Sequence, residues 1–263
     1  MTKIIDSHVH IGKFNINRSG ILGWLDVYPI HLMKYIKQEE LSAVWLLSHP
    51  YMKGEYELNG SEETLVLAKS YPKIKPFCQV DYATPECIGR YVDKGCVGIG
   101  EIKLNLPLND SKLLKVFKIA KDYDLPVVVH TTDKYCYATH YNQFKEVLDI
   151  GANIIFHGWG WWNLLQCGLM QTIIEDFSNV YMDISANSGY RILDEGIGVS
   201  KLLEEHNDRL LYGTDFPMIS IPKQSDNMGT QFGIDKKHLN LVKCFDTKYY
   251  DNIFYKNAMR LVK

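Results

Sequence analysis

The sequence predicts a single (β/α)8 barrel, an α/β fold in which eight parallel strands alternate with helices. Short apolar, β-branched segments alternate with longer amphipathic ones along the chain. Several apolar segments are nearly continuous, as in Pro126–His130 and Asn153–His157, which is typical of strands buried on both faces of a parallel sheet. A length of 263 residues, 46% of them hydrophobic, suits one closed barrel. We therefore expect one domain over residues 1–263.

The strands are predicted from their apolar and β-branched composition. Each is short, and each is followed by polar or glycine-containing residues that end it. The eight predicted strands are Lys3–His8, Leu41–Ser48, Ile74–Asp81, Val97–Leu104, Pro126–Thr131, Asn153–His157, Val180–Ser185 and Leu210–Thr214.

Amphipathic segments between the strands are predicted as helices. Ser61–Tyr71 begins with Ser-Glu-Glu, a capping residue followed by acids in the first turn. Ser111–Tyr123 carries its apolar residues at the i, i+3, i+4 spacing of a surface helix. A segment rich in Pro, Gly, Ser and Asn, Ile219–Gly233, is predicted as a long loop after the last strand. The other predicted helices are Thr84–Lys94, Asn142–Ile150, Trp162–Phe177, Ile192–Glu205 and Tyr249–Val262.

Composition narrows the class of protein. Charged residues make up 23% and give a net charge of -2, which argues against a broad basic surface that binds nucleic acid. Six widely spaced cysteines without a Cys-x-x-Cys pair are typical of reduced, buried thiols. The chain enters a predicted strand within a few residues of Met1, and its apolar runs are shorter than a membrane span. We expect a cytoplasmic protein that acts on a small molecule, with pairing into a homodimer open.

Ligand-type side chains lie at the ends of five predicted strands. The active site of a (β/α)8 barrel is built from the C-terminal ends of its strands, so these side chains would meet at one mouth. The first strand ends in Asp6-Ser-His-Val-His10, and the fourth contains Gly100-Glu-Ile-Lys-Leu104. The candidate metal ligands are His8, His10, Glu101, His130, His157 and Asp215.

Each of these residues has a structural explanation when it is taken alone. A single histidine after an apolar strand is commonly a buried, hydrogen-bonded imidazole, and Asp215 could cap a turn. The pair His8 and His10 is stronger evidence for a metal site, because side chains two residues apart on a strand point the same way and can face one ion. Four imidazoles and two carboxylates together suit a pair of divalent ions, zinc or manganese. The set therefore predicts a binuclear metal centre.

The same residues carry a resemblance to a known superfamily. In chain order they form Asp6-Ser-His-Val-His10, Gly98-Ile-Gly-Glu-Ile-Lys103, Val127-Val-Val-His-Thr131, Ile154-Ile-Phe-His-Gly158 and Gly213-Thr-Asp-Phe-Pro217. This set resembles the amidohydrolase-2 branch of the amidohydrolase superfamily over almost the whole chain. The resemblance implies that His8, His10 and Asp215 bind the more buried metal and that His130 and His157 bind the second.

The bridging ligand in the fourth strand has two candidates. Many members of the superfamily use a carboxylated lysine there, whereas TatD-like nucleases use a glutamate in a Gly-Glu-Ile sequence similar to the one here. Glu101 is therefore favoured as the bridge. Lys103, two residues on, is then a candidate contact to a substrate anion, with the carboxylated-lysine ligand as the alternative.

The resemblance implies hydrolysis of an amide, cyclic amide, lactone or other ester by a metal-activated hydroxide, with Asp215 as general acid and base. One alternative is metal-dependent non-oxidative decarboxylation; such relatives typically lack the bridging acid, so Glu101 argues against it. A TatD-like phosphodiesterase or DNase is another, although no basic stretch for DNA is evident. The fourth possibility is a metal-binding scaffold without enzyme activity.

Further residues are candidates for the walls of the pocket. His49 follows the second strand, where a structural role competes with substrate contact. Trp159 follows the sixth strand and would form an apolar wall or pack in the core. Asn187 and Arg191 follow the seventh strand, where an anionic group could be held, although a surface ion pair also explains Arg191. Lys134 and Tyr135 are similarly placed after His130.

Overall fold

Eight parallel strands form the central sheet. A computed structural model of the chain describes residues 3–15, 24–48, 56–58, 60–80, 85–132, 134–157, 164–185, 205–217 and 247–262. The strands in chain order are β1 (Ile5–Val9), β2 (Gly12–Asn15), β3 (Trp24–Val27), β4 (Ala43–Leu47), β5 (Tyr56–Leu58), β6 (Ile74–Cys78), β7 (Gly98–Ile102), β8 (Val127–Val129), β9 (Ile154–Phe156), β10 (Val180–Asp183) and β11 (Leu210–Leu211). The parallel sheet has the order β1-β4-β6-β7-β8-β9-β10-β11. All eight predicted strands are confirmed, and each is shorter than predicted: β1 by one residue, although it ends one residue later than predicted, and β11 by three.

The two edges of this sheet meet and close the barrel. Backbone hydrogen bonds run from Ser7 N to Tyr212 O (2.9 Å), from His10 N to Phe216 O (2.8 Å) and from Asp215 N to His8 O (2.9 Å). The segment after β11 therefore pairs with β1. Because this segment includes Asp215, closure of the barrel also places that carboxylate beside His8.

The barrel interior is packed with large apolar side chains. Trp45 of β4 stacks on Phe77 of β6 with ring centroids 4.6 Å apart, and both are fully buried. Ala258 and Leu261 near the C-terminus belong to the same buried cluster. Lys3, just before β1, lies over the ring of Tyr255, and Arg260 donates a hydrogen bond to Asp208 O just before β11. The C-terminal segment therefore covers the end of the barrel where the strands begin.

Helices cover the outer face of the barrel. Leu113, Phe117 and Phe144 of these helices lie in the largest buried cluster, together with strand residues that point outward. Asp110 caps its helix by accepting a hydrogen bond from Lys112 N (2.9 Å). The helices are α1 (Pro29–Gln38), α2 (Ser61–Ser70), α3 (Ile88–Asp93), α4 (Ser111–Asp122), α5 (Tyr141–Leu148), α6 (Leu164–Asp176), α7 (Thr247–Asp251) and α8 (Asn257–Leu261), with a π-turn at Asn252–Lys256 between the last two.

The predicted helices agree with these bounds with two qualifications. The segment Thr84–Lys94 contains a 3-10 turn, Pro85–Cys87, followed by the short helix α3. The predicted helix Ile192–Glu205, apart from Glu205, and the predicted loop Ile219–Gly233 lie outside the described residues. Within the described part of the chain, no helix has the length and apolar character needed to cross a bilayer.

A second, smaller sheet was not predicted from the sequence. Strands β2, β3 and β5 form an antiparallel sheet in the order β3-β2-β5. These strands are three to four residues long, too short to show a clear alternation of apolar and polar side chains. Helix α1 follows β3, and it too was missing from the prediction.

Candidate metal centre

The six predicted ligands lie together at the C-terminal end of the barrel. His8 is in β1, Glu101 is in β7, and the other four directly follow a strand or lie in the closing segment. Four of the six side chains are at most 4% exposed, whereas Asp215 is 17% and His130 is 12% exposed. The cluster is therefore buried and opens to solvent beside Asp215 and His130.

Two β-bulges lie at ligand residues. In β1, three residue steps separate Asp6 from Val9, whereas their partners in β4, Val44 and Leu46, are two steps apart. In β7, three residue steps likewise separate Ile99 from Ile102, whereas their partners in β8, Val127 and Val129, are two steps apart. A bulge redirects the side chains of the longer strand. The irregular stretches contain His8 and Glu101, so both bulges shape the cluster.

Gly100 makes the second bulge possible. Its φ is +122°, and a Cβ at this position would lie 2.5 Å from Val128 O of the neighbouring strand. A side chain is excluded here both by this backbone conformation and by the close approach of β8. The Gly-Glu sequence thus allows β7 to present Glu101 to the histidines.

The first group of ligands consists of His8, His10 and Asp215. The two Nε2 atoms are 3.0 Å apart, and Asp215 Oδ1 lies 3.8 Å from His8 Nε2 and 3.5 Å from His10 Nε2. Ligands bound tetrahedrally to zinc with bonds of ~2.0–2.1 Å are separated by roughly 3.3 Å. The observed distances bracket that value, so the three atoms fit around one ion.

The hydrogen bonds of the two histidines indicate that positive charge between them is favourable. His10 Nδ1 lies 3.0 Å from Leu47 O, which only accepts, so Nδ1 carries the proton and Nε2 has a lone pair. His8 Nδ1 donates in the same way to Asp183 Oδ2 at 3.0 Å. Two neutral imidazoles would then point lone pairs at each other across 3.0 Å. A metal ion or an additional proton would relieve this repulsion. Burial lowers the pKa of His8, but Asp183 and Glu101 outweigh burial and raise that pKa well above its usual value, so the nearby carboxylates attract positive charge of either kind.

Glu101 lies between two pairs of histidines. Its Oε2 is 3.8 Å from His8 Nε2 and 3.7 Å from His10 Nε2. Its Oε1 is 2.5 Å from His130 Nδ1 and 3.8 Å from His157 Nε2. Each carboxylate oxygen therefore faces one pair. His130 Nδ1 hydrogen-bonds Glu101 directly at 2.5 Å. The ligand atoms that lie within 4.8 Å of one another form two overlapping groups, His8–Glu101–His157 and His8–His10–Asp215, and each group could hold a metal ion.

Asp183 and Ser185 belong to the cluster and were missed by the sequence analysis. Asp183, the last residue of β10, is 1% exposed and contacts Nδ1 of both His8 and His157. Ser185 Oγ lies 2.8 Å from His157 Nδ1 and donates a short hydrogen bond to Asp183. The signal was present in the sequence, because Asp183 is the one charged residue in the apolar strand Val180–Asp183.

A network behind the ligands holds the closing segment in place. Asp6 Oδ1 accepts hydrogen bonds from Thr214 N (3.0 Å) and His8 N (3.1 Å). Its Oδ2 accepts from Thr214 Oγ1 (2.6 Å) and Tyr35 Oη (2.7 Å). Complete burial raises the pKa of Asp6 to about 6, although these hydrogen bonds oppose the shift. The network fixes Thr214, and with it Asp215, whose φ of +60° lies in the left-handed region.

Histidine neighbours keep two buried carboxylates ionised. Burial by itself would raise the pKa of Glu101, but His130 and His157 hold that pKa well below its usual range. Burial likewise opposes ionisation of Asp183, and His157 and His8 hold its pKa well below the usual range. Ionised carboxylates in a buried cluster require compensating positive charge, which protonated histidines or a bound divalent ion can supply.

The remaining ligands respond differently to burial. Burial raises the pKa of Asp215, with His157 and His8 opposing the shift. Burial lowers the pKa of His130 to about 4 although Glu101 opposes this. A carboxylate with a raised pKa suits a proton-transfer role, and a neutral imidazole suits metal binding.

Lys103 lies at the edge of the cluster rather than inside it. Its Nζ is 5.2 Å from the ring centroid of Tyr135, and Lys134 Nζ is 4.9 Å from the same ring. The Tyr135 ring is in turn 6.0 Å from the ring of His130. Lys103 also lowers the pKa of both His130 and Asp215 by its positive charge, after larger effects of burial and nearer groups. The predicted contacts His49, Trp159, Asn187 and Arg191 lie outside the described residues.

Comparison by sequence yields no relative. No protein-family model matches the chain, and neither does any curated protein.

Comparison of structures finds proteins with the same fold. A probable 2-pyrone-4,6-dicarboxylic acid hydrolase from Acinetobacter baumannii, solved with citric acid bound, has a TM-score of 0.67 and 13% identity over 98% of both chains. An amidohydrolase from Burkholderia multivorans with bound zinc has a TM-score of 0.64 and 13% identity over 98% of both chains. A 2,6-dihydroxybenzoate decarboxylase from Rhizobium has a TM-score of 0.60 and 14% identity, over 99% of this chain and 98% of that one. The predicted resemblance to the amidohydrolases is thus confirmed at the level of the fold.

Proposed function

We propose that this protein is a divalent-metal-dependent hydrolase of the amidohydrolase type, acting on an amide, cyclic amide, lactone or other ester of a small molecule. The observation that carries the proposal is the position of Glu101 between two pairs of histidines. One oxygen faces His8 and His10, and the other faces His130 and His157. Zinc is the first candidate for both ions, and manganese is the second. The zinc bound to the similar amidohydrolase supports this choice.

The residues around the ions would divide the work of hydrolysis. Bound divalent ions supply a Lewis acid for the scissile bond and a water molecule of lowered pKa. Asp215 Oδ1 is 3.5 Å from His10 Nε2 and is the most exposed of the six ligand side chains. It is placed to accept the proton of the attacking water and to donate it to the leaving group. Its raised pKa favours the first of these steps, because a carboxylate of higher pKa is the stronger base.

Lys103 gives the proposal a first constraint on the substrate. Its ammonium group lies beside the Tyr135 ring at the open side of the cluster, near His130. A carboxylate on the substrate would meet this positive charge while the scissile bond lies at the ions. The dicarboxylic acid named for the similar hydrolase supports an anionic substrate. The carboxylated-lysine role of Lys103 is the less favoured alternative, because Glu101 already lies between the histidines.

Non-oxidative decarboxylation is the second candidate, since a decarboxylase shares the fold. Glu101 argues against it, because a single ion would leave one pair of histidines facing a carboxylate oxygen without metal. A TatD-like phosphodiesterase is a weaker candidate, because the net charge of -2 offers no general attraction for nucleic acid.

Metal content and one substitution test the proposal together. Elemental analysis of the purified protein should give two ions per chain, and one ion would favour the decarboxylase. The zinc- or manganese-loaded enzyme is then assayed on lactones, N-acyl amino acids, dihydropyrimidines, phosphodiesters and hydroxybenzoates. On any ester or amide that is cleaved, Asp215→Asn should lower kcat by about 10²–10⁴-fold. Full activity of Asp215→Asn with full metal content would refute the assignment of Asp215 as acid and base.

A further inference from the structure

Asp183 lies behind the cluster, on the side opposite Glu101. Its Oδ2 is 3.0 Å from His8 Nδ1 and 3.4 Å from His157 Nδ1, and its Oδ1 is 3.3 Å from His157 Nδ1. The rings of the two histidines pack with centroids 4.0 Å apart. One carboxylate thus contacts the Nδ1 atoms of two imidazoles whose Nε2 atoms face different oxygens of Glu101.

We propose that Asp183 is a positioning residue that fixes the tautomers of His8 and His157 together and so sets the affinity of both ion positions. This inference rests on the two-ion site of the proposed function. A carboxylate only accepts hydrogen bonds, so each Nδ1 that faces it carries a proton. Each Nε2 then keeps the lone pair that a metal ion needs.

Ser185 makes the constraint on His157 stronger than that on His8. Its hydroxyl donates to Asp183 Oδ1, so the hydroxyl oxygen has lone pairs left to accept from His157 Nδ1 at 2.8 Å. The Nδ1 proton of His157 is therefore shared between Ser185 and Asp183. Among the described residues, His8 Nδ1 has one hydrogen-bond partner, Asp183 Oδ2 at 3.0 Å. Loss of Ser185 should accordingly affect one ion position, and loss of Asp183 should affect both.

Because Asp183 is buried, water cannot easily take its place as the hydrogen-bond acceptor of the two histidines. Asp183 is 1% exposed, Ser185 is fully buried and His8 is fully buried. The oxygens of Asp183 lie on the Nδ1 side of both rings, whereas Glu101 lies on the Nε2 side. Asp183 therefore acts through the histidines rather than as a further ligand of the ions at Glu101.

Asp183→Asn tests the proposal with little change in shape. The amide oxygen accepts from one Nδ1–H, but the amide NH₂ faces the other ring and favours a proton on its Nε2. We expect zinc to bind about 10–100-fold more weakly at both positions. Ser185→Ala should weaken one of the two stepwise affinities by about tenfold and leave the other unchanged. The measurement is competition for Zn²⁺ with a chromophoric chelator, fitted to two stepwise constants.

Controls separate this inference from a loss of fold and from failure of the proposed function. Asn257→Ala removes two hydrogen bonds at the other end of the barrel, a part-buried one to Asn207 O and a buried one to Leu210 O, and should leave zinc affinity unchanged. Native-like melting of each variant in excess chelator shows that it is folded. If the native chain binds no zinc, the proposed function fails. If it binds zinc and Asp183→Asn binds both ions with native affinity, the role of Asp183 alone is refuted.

A direct readout of tautomers covers the case in which Asp183→Asn does not fold. Imidazole ¹H–¹⁵N correlation spectra of the zinc-loaded native protein should show protonated Nδ1 and unprotonated Nε2 for both His8 and His157. A proton on Nε2 of either ring would overturn the proposal.

Discussion

Gly100→Ala is the substitution whose cost can be worked out most directly from the structure. The new Cβ would lie 2.5 Å from Val128 O and 3.2 Å from both Ile102 N and Val128 Cβ. Ordinary contact begins at 3.4 Å, so β7 and β8 would have to separate by 0.9 Å (3.4 minus 2.5). Overpacking of this kind costs about 1–3 kcal/mol. The φ of +122° adds about 1–3 kcal/mol of backbone strain. We expect the free energy of unfolding to fall by about 2–6 kcal/mol.

Gly95→Ala is the matched control for this substitution. Gly95 also has a positive φ, +99°, but a Cβ there would meet nothing within 4 Å. Gly95→Ala should therefore lower the free energy of unfolding by about 1–3 kcal/mol, through backbone strain alone. Urea unfolding in excess chelator measures both variants without a contribution from metal. Because Gly100 precedes Glu101, Gly100→Ala should also weaken zinc binding, whereas Gly95→Ala should not. Equal losses of stability in the two variants would refute the argument from the close approach of β8.

Three further outcomes are expected. Removing metal with a chelator should lower Tm by about 5–10 °C for each ion lost, because an ion present at 100 times its Kd contributes about 2.7 kcal/mol. A Tm that chelator and added zinc leave unchanged in calorimetry contradicts a metal site in the folded state. Lys103→Gln should lower kcat/KM about 10–100-fold for an anionic substrate and little for its neutral analogue, as about 1.4–2.8 kcal/mol of charge interaction is lost. The control is Lys118→Gln, at an exposed lysine of α4 on the outer face of the barrel, and equal losses of Lys103→Gln on both substrates count against a carboxylate contact. Burial raises the pKa of Cys136 to about 12, so its thiolate is scarce up to pH 9. Mass spectrometry should therefore find Cys136 unmodified by iodoacetamide in the native protein and modified in urea. Rapid modification of the native protein at pH 8 would refute the burial of Cys136.

The sequence predicted much of the site because barrel topology converts strand order into proximity. Apolar strands such as Val127–Val129 and Ile154–Phe156 are recognisable from local composition. Their C-terminal ends lie at one mouth, so a histidine directly after each strand falls in the same cluster. For this reason His130 and His157 were found without any knowledge of their contacts.

Short or irregular elements were beyond the same reasoning. The antiparallel sheet of β2, β3 and β5 is made of short segments that become strands by pairing with one another. Their composition alone does not mark them as strands. The bulges at His8 and Glu101 are set by the register between neighbouring strands. The alternation of side chains along a single strand does not show which strand it pairs with or where a bulge lies.

The sequence by itself determined the barrel, the six ligand-type residues and the strands that carry them. The tertiary structure decided how those residues are used: which oxygen of Glu101 faces which histidines, and which group stands behind them. Asp183 meets His8 across 175 residues of sequence, and Asp6 meets Thr214 across 208. Such contacts depend on strand register and on side-chain rotamers fixed by packing, and those are properties of the closed barrel rather than of any segment of it.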